Sequence, residues 1–98
     1  MFTYEVLVEA TILTAEAFEA YMLGKHLPEI LATGCFVDIT FERASSTRFR
    51  TRYRAAKRED LDRYLLEHSP VFRQDFLEHF PEGLKAQREL WEAVQTFQ

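Results

Sequence analysis

The sequence predicts an α+β fold in which helices cover one face of a four-stranded antiparallel sheet. Apolar and polar residues alternate in three short stretches, which is typical of half-buried strands. Apolar residues at helical spacing fill the two longer stretches between them. The order strand, helix, strand, strand, helix becomes a split βαβ arrangement once a fourth strand is added. A length of 98 residues favours a single domain over residues 1–98.

The first strand and the start of the first helix follow from local patterns. Residues 2–10, FTYEVLVEA, alternate and predict a half-buried strand. Thr14 is the predicted N-cap of the next helix, because Leu13 before it and Phe18 after it have the spacing of a hydrophobic staple.

The buried face of this helix runs through a histidine. Four residues recur at every fourth position and lie in one row: Phe18, Met22, His26 and Ile30. Pro28 has no N–H, and its ring clashes with the carbonyl four residues earlier. We therefore expect a kink or a break over residues 25–27, and Gly34 as the C-terminal cap.

Residues 35–43 and 47–55 form a predicted hairpin around Ser45. A turn symmetric about Ser45 gives these pairs: Glu42 with Arg48, Thr40 with Arg50, Asp38 with Arg52, Phe41 with Phe49 and Val37 with Tyr53. This register gives the hairpin one charged face and one apolar face.

Two more helices and an ambiguous stretch complete the chain. A helix is expected after Lys57, and Ser69-Pro70 predicts the start of another. Three phenylalanines of that helix are expected to face inward: Phe72, Phe76 and Phe80. Residues 84–97 have helical spacing, but we predict a strand there, placed beside the second strand, because the fold requires it.

Composition excludes several classes of function. A net charge of −4 gives no general attraction for polyanions, and we expect no nucleic-acid partner. Met1 leads directly into a strand, and no apolar run reaches the ~20 residues of a membrane span. We therefore expect no membrane association and a cytoplasmic location. Cys35 is the single cysteine and is interpreted as a core residue.

Three stretches and a shorter closing segment carry a resemblance to a known family. They are HLPEILATGCF (26–36), LDRYLLEHSPVFR (61–73), HFP (79–81) and QREL (87–90). In these residues the chain resembles an uncharacterised bacterial family classified only as a domain of unknown function. The specific part is His-x-Pro followed by Ala-Thr-Gly-x-Phe. The resemblance implies a ferredoxin-like βαββαβ fold of the kind that pairs into dimeric α+β barrels, and hence a homodimer.

His26 is the first candidate site residue. Next to the expected helix break, it could act as an acid or base or contact a ligand at the mouth of a cleft between the first helix and the sheet. Its ring could equally cap a freed backbone carbonyl. A metal site of His26, His68 and His79 is disfavoured, because these histidines lack a regular ligand spacing, and we predict no metal.

The second candidate is a row of four arginines on one face of the third strand. These are Arg48, Arg50, Arg52 and Arg54. They could bind a carboxylate or phosphate inside a dimeric barrel. A ladder of ion pairs with acidic residues of the neighbouring strands would also account for them. Phe49 and Tyr53 point to the other face, which disfavours RNA binding.

Three functions remain compatible with the residues. The first is a homodimer that binds a small, anionic organic molecule through His26 and the arginine strand. The second is a cofactor-independent enzyme of the monooxygenase or isomerase type that uses His26 as acid or base. The third is a structural or interaction module without a ligand. No phosphate-binding loop or catalytic motif is present, so no cofactor is predicted.

Overall fold

A computed structural model describes all 98 residues and contains one four-stranded sheet. The strands are β1 (Phe2–Ala10), β2 (Asp38–Arg43), β3 (Arg48–Ala55) and β4 (Leu84–Glu92). They are ordered β2-β3-β1-β4, and every neighbouring pair is antiparallel. The structure confirms the predicted βαββαβ fold, including a strand in the ambiguous stretch 84–97.

Two helical regions connect the strands and cover one face of the sheet. The first consists of α1 (Ile12–Tyr21), a π-helical segment (Met22–His26) and α2 (Leu27–Leu31). The second consists of α3 (Arg58–Arg63), a π-helical segment (Tyr64–His68) and α4 (Ser69–His79). None of these helices combines the length and the apolar character that crossing a lipid bilayer requires.

The position of the fourth strand differs from the prediction. It lies beside β1, at the opposite edge of the sheet from β2. β1 and β4 have nine residues each and pair along their whole length, from Phe2 opposite Glu92 to Ala10 opposite Leu84. β2 has only six residues and offers a shorter edge. In this order each helical crossover skips one strand, as in the split βαβ arrangement.

The hairpin register differs from the prediction by two residues. Glu42 lies opposite Arg50, and Asp38 lies opposite Arg54. The turn is longer than expected, because the Ala44 N–H donates to the carbonyl of Arg48 at 2.9 Å. A shift of two residues keeps every side chain on its predicted face, so the charged and apolar faces remain as expected.

The first helix begins earlier than predicted, so Thr14 is not its N-cap. Thr11 occupies that position, and its N–H donates to Oγ1 of Thr14 at 3.1 Å. The Thr14 hydroxyl also donates to the carbonyl of Gly83 at 3.1 Å, which joins the start of α1 to the loop before β4. Leu13 is fully exposed, and the expected hydrophobic staple is absent.

The expected interruption near Pro28 takes the form of a π-helical segment. The N–H of Leu27 donates to the carbonyl of Met22, five residues earlier, and the helix continues without separating. The second π-helical segment has the same hydrogen bond, in which the N–H of Ser69 donates to the carbonyl of Tyr64, five residues earlier. Each segment ends at a histidine that stands two residues before a proline, so the wider turn accommodates the proline ring in both halves of the fold.

The core lies between the helices and the apolar face of the sheet. Phe18 is completely buried at its centre. Four phenylalanine rings surround it at centroid distances between 5.2 and 6.1 Å: Phe41, Phe49, Phe76 and Phe80. Cys35 is a buried core residue, although it precedes β2 instead of lying in the predicted strand 35–43.

Replacing Gly83 tests the junction between α1 and the loop before β4. Gly83 has φ +88°, and an added Cβ would lie 2.8 Å from Cγ2 of Thr14. We expect Gly83→Ala to lower the free energy of unfolding by at least about 1 kcal/mol. The matched control is Gly24→Ala, because Gly24 is helical and has no atom within 4 Å of an added Cβ.

Urea denaturation measures both variants. Gly24→Ala should leave stability unchanged or raise it by up to about 1 kcal/mol, since alanine favours helix over glycine. Equal stability of wild type and Gly83→Ala would contradict the described junction.

Candidate functional site

A cavity lies between the helices and the half of the sheet formed by β1 and β4. Six of its fourteen lining residues are phenylalanine or tyrosine: Tyr4, Phe18, Tyr53, Tyr64, Phe72 and Phe76. Its polar lining comes from His26, Ser69, Arg73 and Arg88 in addition to the tyrosines. The volume of the cavity is about 40 Å³, or about 450 Å³ when the open space at its mouth is included.

Exposure of the lining residues shows where the cavity opens. Arg73 on α4 is exposed, as are Ala86 and Arg88 on β4. His26 and Ser69 are buried. The mouth therefore lies between α4 and β4, with the two arginines at its rim and the histidine in the interior.

Both π-helical segments contribute to the cavity wall. Met22 and His26 come from the first segment, and Tyr64 comes from the second. Ser69 follows the second segment directly. Such segments often occur at functional sites, because the wider turn redirects side chains out of the regular helical pattern.

His26 is the first member of a hydrogen-bonded chain of three side chains. Its Nδ1 lies 3.3 Å from the Tyr21 hydroxyl. That hydroxyl donates to Oδ2 of Asp75 on α4 at 2.6 Å. The Asp75 carboxylate also accepts a hydrogen bond from Nζ of Lys25 at 3.0 Å. The chain thus links the first helical region to the second beside the cavity.

The chain determines which nitrogen of His26 carries the proton. Tyr21 has a single hydroxyl proton, and the short bond to Asp75 uses it. Nδ1 of His26 must therefore donate its proton to the Tyr21 oxygen. Nε2 is left with a free lone pair, and it makes no hydrogen bond within the chain. Nε2 is also not fully buried. The only side-chain nitrogen or oxygen that is fully buried without a hydrogen-bond partner is Nε of Arg52.

Burial keeps this histidine uncharged. Removal from water lowers the pKa of His26 to about 4, and the opposing attraction of Asp75 is weaker. The hydrogen bond from Tyr21 and the bond from Lys25 lower the pKa of Asp75, which is therefore a carboxylate at neutral pH. Burial and Asp75 raise the pKa of Tyr21, so it stays protonated.

Arg73 and Arg88 are the two arginines without a carboxylate partner. Every other arginine lies within 4.0 Å of an acidic side chain. Arg73 donates only a long hydrogen bond of 3.4 Å, from Nη2 to the Tyr4 hydroxyl. The rim of the cavity therefore carries two positive charges that no acidic group of the chain neutralises by direct contact.

The four predicted arginines lie on the other side of the sheet. They are Arg48, Arg50, Arg52 and Arg54, and their face bears acidic residues of β1 and β2. His26 belongs to the cavity on the helix side. One small ligand cannot contact both groups within a subunit, because the sheet separates them. The predicted ligand contacts of His26 and of the four arginines stay predictions, and so does the predicted role of His26 as acid or base.

Ion pairs account for the positions of these four arginines. Arg54 binds Asp38 with two hydrogen bonds, one of them from Nε at 2.7 Å. Arg50 and Arg52 both lie close to Glu42, at 2.8 and 3.2 Å. Arg48 lies 3.8 Å from Glu9. These side chains are about half exposed, so screening by water leaves each pair only a small contribution to stability.

The three histidines do not form a metal site. His79 donates its Nδ1 proton to the carbonyl of Asp75 at 2.8 Å and packs against the ring of Tyr21. His68 stacks on Tyr64. No group of three or more His, Cys, Asp or Glu side chains is arranged to hold a metal ion.

Sequence reasoning missed four residues of the site: Tyr21, Arg73, Asp75 and Arg88. The sequence could have indicated Arg88, because it stands two residues from both Ala86 and Leu90 and so lies on the same face of β4 as they do. Tyr21 and Asp75 had none, because 54 residues separate them and nothing local connects them.

Comparison with a family model gives a match over residues 1–94, described as a domain of unknown function, DUF4286. The chain belongs to the DUF4286 family. The match confirms the resemblance to an uncharacterised family that the sequence indicated. A comparison with curated proteins finds no match.

Solved structures with the same fold come from several kinds of protein. An EthD family protein from Bacillus halodurans matches with a TM-score of 0.71 and 13% identity, over 96% of this chain and 100% of that chain. SnoaB, a cofactor-independent oxygenase from Streptomyces nogalater, matches with a TM-score of 0.69 and 14% identity, over 97% of this chain and 94% of that chain. A dimeric ferredoxin-like protein from an uncultured marine organism matches with a TM-score of 0.71 and 11% identity, over 99% of this chain and 98% of that chain. At these identities the likeness establishes the fold alone.

The uncharged state of His26 predicts a pH dependence of stability. A pKa lowered from 6.5 to about 4 means that the unfolded chain binds a proton more readily than the native protein does. The stabilisation is complete above pH 6.5 and is lost as the pH falls toward 4. Between pH 7 and pH 5 we expect His26 to account for a loss of about 2 kcal/mol in the free energy of unfolding.

Denaturation of wild type and His26→Asn at both pH values isolates this contribution. The variant should lose less stability than wild type by about that amount. Equal losses in the two proteins would mean that His26 titrates normally in the native state. An NMR titration of the imidazole gives the native pKa directly.

Proposed function

We propose that this DUF4286 protein binds a small organic anion in the cavity between its helices and its sheet. The observation that carries the proposal is the pair Arg73 and Arg88, which bring two unneutralised positive charges to the cavity rim. A guanidinium binds carboxylate groups with directed hydrogen bonds. A ligand with one acidic end and an apolar body could pair its acidic group with the arginines at the rim and pack its body against the apolar wall.

The wall favours a flat, apolar ligand body. Phenylalanine and tyrosine supply six of the fourteen lining residues, and their rings stack well on other planar groups. Burial raises the pKa of Tyr53 and of Tyr64, so neither hydroxyl becomes an anion that would repel an acidic ligand. The interior is thus uncharged while the rim is positive.

Substitution of Arg88 tests the role of the rim. Arg88→Gln removes the charge from an exposed position on β4, and we expect it to weaken binding of benzoate about tenfold. The matched control is Arg54→Gln, because Arg54 pairs with Asp38 on the opposite face of the sheet. This control should bind benzoate as wild type does.

Titration followed by NMR or calorimetry measures the three affinities. A loss in Arg54→Gln with none in Arg88→Gln would move the ligand to the charged face. Absence of saturable benzoate binding by wild type would contradict the proposal for this class of anion.

The proposal includes a homodimer formed through the sheet face that the helices leave open. This face carries the ion-paired arginines together with Leu7 and Trp91, which is half exposed. Its charges balance between two groups: Arg48, Arg50, Arg52, Arg54 and Lys85 against Glu5, Glu9, Asp38, Glu42 and Glu89. A surface with both signs in equal number can face a second copy of itself without net repulsion.

Light scattering after size-exclusion chromatography tests the dimer. We expect a particle of twice the 11.6 kDa chain mass at micromolar concentration. Trp91→Glu should shift it toward monomer, because the change places an unpaired charge in the interface. Leu77→Glu is the control, since Leu77 is an exposed residue of α4 on the helix side. A monomeric wild type would contradict the dimer.

A further inference from the structure

His26 contributes a hydrogen-bond acceptor to the lining of the cavity, besides the hydroxyl oxygens of the tyrosines and Ser69. Nε2 of His26 has a free lone pair, because Tyr21 and Asp75 hold the ring in the Nδ1–H tautomer. Arg73 and Arg88 at the mouth can only donate. The two ends of the cavity therefore recognise groups of opposite hydrogen-bonding character.

Nothing else in the chain occupies this acceptor. The titratable and charged groups around the ring are Tyr21, Lys25, Glu29, Asp75 and His79. Tyr21 bonds to Nδ1, and Asp75 bonds to Tyr21 and Lys25. Lys25 also bonds to Glu29, and His79 bonds to the backbone of α4. None of them reaches Nε2, which is therefore free to accept a hydrogen bond from a ligand.

We infer that the ligand carries a hydroxyl group at the end opposite its acidic group, and that this hydroxyl donates a hydrogen bond to Nε2 of His26. The inference rests on the proposed function, since it requires an anion anchored at Arg73 and Arg88. It identifies the ligand class as a hydroxylated organic acid. An acidic group could not take the inner position, because its oxygens would face the lone pair of Nε2.

The neutral state of His26 is consistent with this role. An imidazole with a pKa of about 4 stays an acceptor throughout the neutral range, since protonation would turn Nε2 into a donor. The hydrogen bond from Nδ1 to Tyr21 keeps the ring from adopting the other tautomer. Tyr21 and Asp75 are therefore positioning residues that act through His26.

A series of four probe acids tests the inference: benzoate and its ortho-, meta- and para-hydroxy derivatives. The para or the meta isomer should bind two- to tenfold more tightly than benzoate, which corresponds to one hydrogen bond. The ortho isomer should gain nothing, because its hydroxyl lies beside the carboxylate at the mouth. Equal binding of all four acids would overturn the inference.

Tyr21→Phe tests the origin of this preference. The variant keeps the packed ring but removes the acceptor for Nδ1–H, so Nε2 can take the proton. The gain from the hydroxyl should disappear, so that the variant binds benzoate and its para- and meta-hydroxy derivatives with equal affinity. Tyr64→Phe is the control, because it removes a cavity hydroxyl that does not bond to His26 and should keep the preference. Loss of the preference in Tyr64→Phe alone would overturn the assignment to His26.

The ¹⁵N resonances of the imidazole report the tautomer without any ligand. At neutral pH Nδ1 should appear protonated and Nε2 unprotonated in wild type, and Tyr21→Phe should reduce this difference. A protonated Nε2 in wild type would overturn the inference. Such a result would leave the proposed function intact, since that function fails only if benzoate does not bind or does not depend on Arg88.

Discussion

Alternation along the two central strands assigns each side chain of the sheet to one of two environments. On β3, Phe49, Thr51 and Tyr53 are buried against the helices, while the arginines between them point to the other side. On β1, Tyr4 and Val8 join the buried side. Because a strand has a period of two, this separation survives even a register shift of two residues. The core, the cavity and the open charged face all follow from it.

The cavity arises where the helical layer meets the edge of the sheet. β4 is exposed along almost its whole length, so the helical layer leaves this edge of the sheet largely uncovered. The π-helical segments before Pro28 and Pro70 turn His26 and Tyr64 toward this gap. Burial in turn holds His26 neutral. A single geometric feature, the incompletely covered edge, thus combines an uncharged interior with a positively charged rim.

Local patterns in the sequence were sufficient for β1, β2, β3, the two helical regions and one residue of the site, whereas β4 was predicted from the topology of the fold against its helical spacing. The alternation in residues 2–10 predicted β1 with its observed bounds, and the row through Phe18 and His26 predicted the buried face of the first helix. The role of Arg88 depends on pairing between β4 and β1, which no local pattern specifies. Likewise, Tyr21 and Asp75 meet only because α1 and α4 pack side by side. The missed residues of the site all depend on contacts between distant segments.

We expect ligands to bind on the helix side of the sheet and not on its arginine-rich face. A crystal structure of the protein soaked with a bromine-substituted benzoate can distinguish the two faces, because anomalous scattering locates the bromine atom. The expected result is a bromine peak inside the cavity, with the carboxylate between Arg73 and Arg88. A peak beside Arg50 or Arg52, with an empty cavity, would show that the ligand binds on the charged face instead.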